Sequence, residues 1–320
     1  MNSVLMLFRE AGWGAYVQLG LFMVALVWTL ACTVLLGMRW KVPAFIATIP
    51  LGLHALGAIA ALSASQSIIL TATKNVDGAT RAMLVAQGMS EGLGNGVLLG
   101  LAIPSAMLLG LGGAIGGARG SRSYGPPVIA FLVCGLIAVF PVAELLYEGS
   151  ILSIGTRLLL YGVGAIIVTV SLLGNDGKVG ARESSLSAAL SFFVVVSAAE
   201  IVASSMECRE LFAVLAGVSR EGRAEFMGGL MEPVHGRTTL RWVSMFLAII
   251  PVIVAWLRPS AERTEEQLLN EPDPETPMRG AGHFLALGLI PLWLAAAWSA
   301  DVSEQVEKAL ATSAHSGSTE

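Results

Sequence analysis

The chain has 320 residues, of which 55% are hydrophobic and only 13% charged, with a formal net charge of −4 and a mean hydropathy of +0.73. A soluble domain carries about 25% charged residues, so this composition excludes a disordered chain, a disulfide scaffold and an ordinary soluble enzyme. The slightly acidic balance leaves no basic footprint for nucleic acid, and a multi-pass membrane protein remains.

A membrane helix needs about 20 mostly apolar residues. In chain order, such runs cover roughly 14–38, 43–65, 93–117, 127–147, 151–174, 185–206, 240–257 and 281–300. The fold expected is an all-α polytopic bundle of about eight transmembrane helices. The first run, Ala11 to Gly37, is too long for a signal-peptide core, and Arg39 and Lys41 close it as a stop-transfer flank would. Thr29-Leu30-Ala31-Cys32 faintly resembles a lipoprotein cleavage box, but Thr29 stands where that box has Leu and Cys32 lies mid-run. Cys32, Cys134 and Cys208 form no CxxC pair. They read as small core hydrophobes, with no metal site and no cofactor expected. Between runs, 66–92 reads as an external loop. Met206 to Met231 reads as an amphipathic helix, with Leu211, Phe212, Leu215 and Val218 on one face. Arg258 to Gly280 is an acidic, Pro-rich linker, and 313–320 reads as a disordered tail.

Lys and Arg in short loops set orientation. Arg39 and Lys41, Arg119 and Arg122, and Lys178 and Arg182 follow the first, third and fifth runs, placing both termini outside. The stretch 207–239 then carries Arg209, Arg220, Arg223 and Arg237 on the opposite side, offset by Glu207, Glu210, Glu221, Glu225 and Glu232.

Internal similarity organises the chain further. Glu10 has a counterpart in Glu148, and Thr33-Val34-Leu35-Leu36-Gly37 in Thr169-Val170-Ser171-Leu172-Leu173-Gly174. Lys41-Val42 recurs as Lys178-Val179, Ala61-Leu62-Ser63 as Ala203-Ser204-Ser205, Arg81-Ala82 as Arg223-Ala224, and Glu91 as Glu232. Leu101-Ala102-Ile103-Pro104 recurs as Leu247-Ala248-Ile249-Ile250-Pro251, and Gly135-Leu136-Ile137 as Gly288-Leu289-Ile290. The shift drifts almost monotonically along the chain, as a duplication with small insertions would produce. Two parallel four-helix repeats are expected, over 1–148 and 149–312. Four spans per copy preserve polarity, unlike the inverted repeats frequent in transporters.

Gly88-Met89-Ser90-Glu91-Gly92-Leu93-Gly94-Asn95-Gly96, running on to Leu101-Ala102-Ile103-Pro104, resembles the start of the third membrane helix in the MotA/TolQ/ExbB proton-channel family. Phe8 to Tyr16 resembles the amphipathic lead-in to that family's first helix. The resemblance covers about 1–117 and, through the repeat, 151–257 more weakly. It implies an oligomeric ring in the bacterial inner membrane around a single-helix ExbD/TolR/MotB-like partner, with proton flow driving transport or movement. Glu91 matches the family's Glu, with Glu232 its counterpart in the second copy. Gly96 stands where the family has a channel-lining Thr, and Arg237 holds that place in the second copy. Only about five residues separate the first two runs, where the family has a large cytoplasmic domain. The departures point to a divergent or a non-conducting relative rather than a standard motor subunit.

Ionisable groups inside spans are costly and therefore informative. His54 reads as a proton relay or as a neutral His hydrogen-bonded to a neighbouring helix. Glu144, just after Pro141, reads as a cation or proton point or as an anchored helix end. Glu200 shares a helical face with Ser197, Ser204 and Cys208, a polar stripe that must face protein or water. It is the leading candidate for a buried acidic site. Gly112 with Gly116 and Gly113 with Gly117 form GxxxG pairs suited to close helix packing. No nucleophile–base or HExxH arrangement points to an enzyme. A small-molecule or ion transporter and a membrane assembly scaffold are the alternative functions.

Overall fold

A computed structural model of the chain describes residues 7–37, 44–76, 78–121, 125–147, 152–174, 181–218 and 220–257. Among the described residues the regular structure is all helical, joined by short turns. The helices are α1 (Trp13–Gly37), α2 (Ala44–Ala72), α3 (Gly78–Gly92), α4 (Gly94–Leu98), α5 (Ala102–Ser121), α6 (Gly125–Tyr147), α7 (Ile154–Leu173), α8 (Ala181–Gly217) and α9 (Arg220–Leu257). A 3-10 turn, Leu99–Leu101, joins α4 to α5. Six stretches are long and apolar enough to cross a membrane: Trp13–Leu35, Ile49–Ala72, Met83–Gly112, Ile154–Leu173, Ser185–Gly217 and Thr239–Leu257. The shorter Val128–Glu144 is also apolar. Seven of the eight expected runs are thus helical. The eighth, 281–300, lies outside the described residues, as do the 258–280 linker and the 313–320 tail.

Local chemistry marks some helix ends. Ser153 caps α7, its extended backbone letting Oγ accept from Thr156 N at 3.3 Å. Gly12 has φ +65°, a left-handed conformation that favours glycine, where the chain turns into α1.

The bundle is built around α8, which packs against α3, α4, α5, α6, α7 and α9. Residues 185–208 of α8 are buried on every side. A helix apolar or small all round belongs at the centre of a bundle, and the sequence here is Ser, Ala, Val and Phe with few long side chains. Hydrophobic burial distinguishes little between protein and lipid, so close approach of small residues carries much of the packing. Three glycines on the antiparallel partner provide it. A Cβ at Gly96 would stand 2.5 Å from Ser205 Oγ, one at Gly100 2.8 Å from Val202 Cγ2, and one at Gly110 1.6 Å from Ser191 Oγ. Gly96 therefore lacks a side chain because α8 occupies that space. Gly112 is also buried on α5. Gly113, Gly116 and Gly117 lie on the same helix, but their surroundings fall outside the described residues.

α1 shows the opposite pattern. Ala15, Gln18, Ala25, Thr29 and Cys32 are buried on one stripe, while Trp13, Val24, Val27, Leu30 and Val34 face outward. That is a lipid-facing helix with one protein face. Thr33 Oγ1 on its buried side donates to the Leu108 carbonyl at 3.0 Å and ties α1 to α5.

Two expectations about loops need correction. The Met206–Met231 amphipathic helix does not exist as a separate element, because α8 runs unbroken to Gly217 and α9 begins at Arg220. Its apolar face is nonetheless used: Cys208, Phe212 and Leu215 pack with Leu62, Val85, Ala86, Met89 and Leu93. Neighbouring helices, rather than the membrane surface, cover it. The 66–92 loop likewise contains the end of α2 and the whole of α3.

Candidate functional site

The polar stripe of α8 continues past Glu200 to Glu207, two turns further on the same face. Three arginines from two other helices meet it. Arg157 lies one turn into α7, with only 2% of its surface exposed. Its Nη2 donates to Glu207 Oε1 at 2.8 Å. Its Nε lies 3.9 Å from Glu200 Oε2, too far for a hydrogen bond but close for a charge pair. Arg237 on α9 donates through Nε to Glu207 Oε2 at 2.8 Å. One turn on, Arg241 donates through Nε to Ser204 Oγ and is within electrostatic reach of Glu200. Ser204 Oγ in turn donates to the Glu200 carbonyl at 2.6 Å. Tyr161, one turn after Arg157, is buried against Glu200 and feels the charge of Glu144.

Glu200 and Glu207 thus face Arg157, Arg237 and Arg241, with Glu144 close to Tyr161 at the side of the group. Mutual pairing of this kind is what lets buried charges persist where single ones would not. The bonding within the group is uneven. Glu207 accepts hydrogen bonds from two guanidinium groups, whereas Glu200 accepts none from an arginine and has the Tyr161 side chain as its hydrogen-bonding neighbour. Nη1 of Arg157 is without a partner among the described residues. Arg157 is bonded to one carboxylate and poised beside another, a geometry with two possible pairings.

The sequence-derived candidates divide across the molecule. Glu200 lies at the heart of the cluster, 1% exposed. Glu144 is buried near its edge, and its Oε1 accepts from Leu152 N at 3.4 Å. His54 is apart from the cluster, fully buried on α2 with its ring 6.2 Å from that of Phe22. Neither of its ring nitrogens has a hydrogen-bond partner among the described residues. Glu91 is half-buried and accepts from Gln87 Nε2 at 3.3 Å on its own helix. Glu232 falls on α9, with its side chain outside the described residues.

Sequence reasoning missed Arg157, Glu207, Arg237 and Arg241 as members of one site. Helical spacing was the available signal, since 200, 204 and 207 share a face, as do 157 with 161 and 237 with 241. The misplaced positive charge of 207–239 was a second. Arg237 is committed to Glu207 inside the bundle, and Arg209 pairs with Glu10. These two are internal partners rather than markers of orientation.

Fold and site together define a polytopic α-helical membrane protein with a buried ionic cluster on its central helix. No protein-family model, curated protein or solved structure matches the chain.

Proposed function

We propose that this protein is an integral membrane subunit that handles protons at Glu200, as a divergent relative of the MotA/TolQ/ExbB proton channels within an envelope complex. One observation carries the reading. Glu200 is a buried carboxylate beside Tyr161, with no arginine hydrogen bond of its own and 3.9 Å from an arginine already held by Glu207. A proton on Glu200 removes its pull on Arg157 and favours the Arg157–Glu207 pair. Loss of that proton draws Arg157 toward Glu200 and loosens Glu207. Protonation is thereby coupled to helix contacts between α7, α8 and α9.

The family resemblance fits this placement. The Gly94–Leu101 stretch that carries it lies directly on α8, with Gly96 and Gly100 against Ser205 and Val202. The working charge in this reading is Glu200 rather than Glu91. The two related halves in sequence are read as a duplicated helical unit, and the partner as a single-helix protein with an acidic membrane residue.

The test is proton flux into proteoliposomes under a pH gradient, with and without candidate single-helix partners. Flux abolished by Glu200→Gln and kept by Glu91→Gln supports the proposal. Silence of the wild type with every partner removes it. The pairing of Glu207 with two arginines from different helices favours a second reading, a membrane assembly scaffold, which that silence would leave standing.

A further inference from the structure

The ionic cluster is not equally deep along its length. At one end of the bundle, the paired side chains of Arg209 and Glu10 are 29% and 28% exposed. Two residues before Arg209 on α8, the Glu207 side chain is 8% exposed, and its partner Arg237, just ahead of the Thr239–Leu257 span, is 24% exposed. Arg157 and Glu200 follow at 2% and 1%. One polar contact leads to the next: Arg237 to Glu207 at 2.8 Å, Glu207 to Arg157 at 2.8 Å, and Arg157 to Glu200 at 3.9 Å. Ser204, bonded to Arg241, lies between Glu207 and Glu200 on α8. Exposure therefore falls in steps from the bundle end inward, while the lining stays polar.

On the other side of Glu200 the lining changes. Ser197 lies one turn away, its hydroxyl without a partner among the described residues. Phe192 to Val196 come next, all apolar and none more than 1% exposed. The following hydroxyl on α8, that of Ser191, is turned back on its own helix and donates to the Ser187 carbonyl at 2.9 Å. At about 1.5 Å per residue, Ser191 and Ser197 are separated by roughly 9 Å along the axis, too far for a hydrogen bond. Ala165 and Val168 of α7, Ile137 of α6, Ala106 of α5 and Ala248 of α9 belong to the same buried apolar cluster as this stretch. Gly164 leaves the notch that the Phe192 ring fills, since a Cβ there would stand 3.0 Å from Phe192 Cε2 and 3.1 Å from Val133 Cγ1. A close-packed apolar layer of this kind excludes water, and a proton within it would be an unpaired buried charge.

We propose that Glu200 exchanges protons with one side of the membrane only, the side on which Glu207 and Arg237 lie, and that the Phe192–Val196 layer seals it from the other. This rests on the proton-handling reading of Glu200 given above. Hydronium entering along the polar lining gives its proton to the Glu200 carboxylate, leaving water and the neutral acid, and the proton departs by the same way. The ionisable groups around Glu200 are Arg157 and Tyr161 on α7, Arg241 on α9 and Glu207 on α8, with Glu144 of α6 beside Tyr161. From Gly94 to Gly112, α4 and α5 carry no ionisable side chain. In this arrangement the chain alone takes up and releases protons without passing them across. Transit needs the apolar layer to part, which assigns that step to the partner.

The experiment reads sidedness in proteoliposomes of the full chain with no partner added. A cleavable tag placed before Met1 marks the end of the bundle that carries Glu10. The fraction cut by protease added outside gives the share of molecules with that end outward. External pH is then stepped while the lumen stays buffered, and the carboxyl band that is lost in Glu200→Gln is followed by infrared difference spectroscopy. In two preparations of different orientation, the amplitude reached before a protonophore is added should equal the cut fraction, and the protonophore should release the remainder. An amplitude already complete without the protonophore, or one that equals the uncut fraction, overturns the inference and leaves the proton reading standing. Absence of any Glu200-dependent band overturns both.

Discussion

Replacing Glu207 with Gln is the sharpest perturbation of the cluster. Glu207 takes Arg157 on one oxygen and Arg237 on the other, both at 2.8 Å. An amide keeps one acceptor and turns two N–H donors toward the second guanidinium. The Arg237 side chain is 24% exposed, so water and solvent screening limit what its bond contributes to about 1 kcal/mol or less. Arg157 is 2% exposed and has no such recourse. Breaking a buried pair from one side costs about 3–5 kcal/mol, mostly from the charge left behind. The loss therefore falls mainly on the Arg157–Glu207 bond. At about 2–4 °C per kcal/mol in large domains, the thermal midpoint in detergent should drop by roughly 6 °C or more. The double variant Arg157→Gln, Glu207→Gln should cost less than the two singles added, with a coupling of about 1–3 kcal/mol. Glu91→Gln, which removes only a half-buried contact with Gln87, is the control and should change stability by less than about 0.5 kcal/mol. If Glu207→Gln melts with that control, the buried pair does not hold the helices as described.

Other outcomes follow from the same geometry. Gly96→Thr, which would install the hydroxyl side chain that the MotA/TolQ/ExbB pattern has at the place Gly96 resembles, should destabilise by about 1–3 kcal/mol because Ser205 fills that space, measured by thermal melting. Gly110→Val should do at least as much, since its Cβ would overlap Ser191, and monodisperse yield after extraction reads the loss. Glu10→Gln breaks an ion pair whose two side chains are 28–29% exposed, so it should cost no more than about 1 kcal/mol and fade as salt is raised. Gln18→Leu should leave Asn95 without its donor and cost about 1–3 kcal/mol, detected as faster amide exchange in α1 and α4.

The spans were legible because a membrane imposes a length and a composition that few soluble sequences meet. Glu200 was legible for the same reason, as an acid with serines on its face inside an apolar run. The rest of the site was not. Arg157 stands one turn from a helix end, where a long side chain can equally reach the interface. Arg237 and Glu207 lie in a charged stretch whose composition resembles a solvated loop, and only the packing of α7 and α9 on α8 joins them. The burial of α8 on all sides follows from its small residues and from the glycines facing it on α4 and α5. Of those glycines, at 96, 100 and 110, the first two are a GxxxG pair of their own, one the sequence reading passed over in favour of the pairs at 112–117.

The central claim is that Glu200 exchanges a proton inside the bundle while Arg157 bridges to Glu207. Infrared difference spectroscopy of the reconstituted protein during a pH titration tests it most directly. A protonated-carboxyl band should appear in the wild type, vanish in Glu200→Gln and persist in Glu91→Gln. A spectrum in which Glu200→Gln retains every carboxyl band of the wild type would contradict the account.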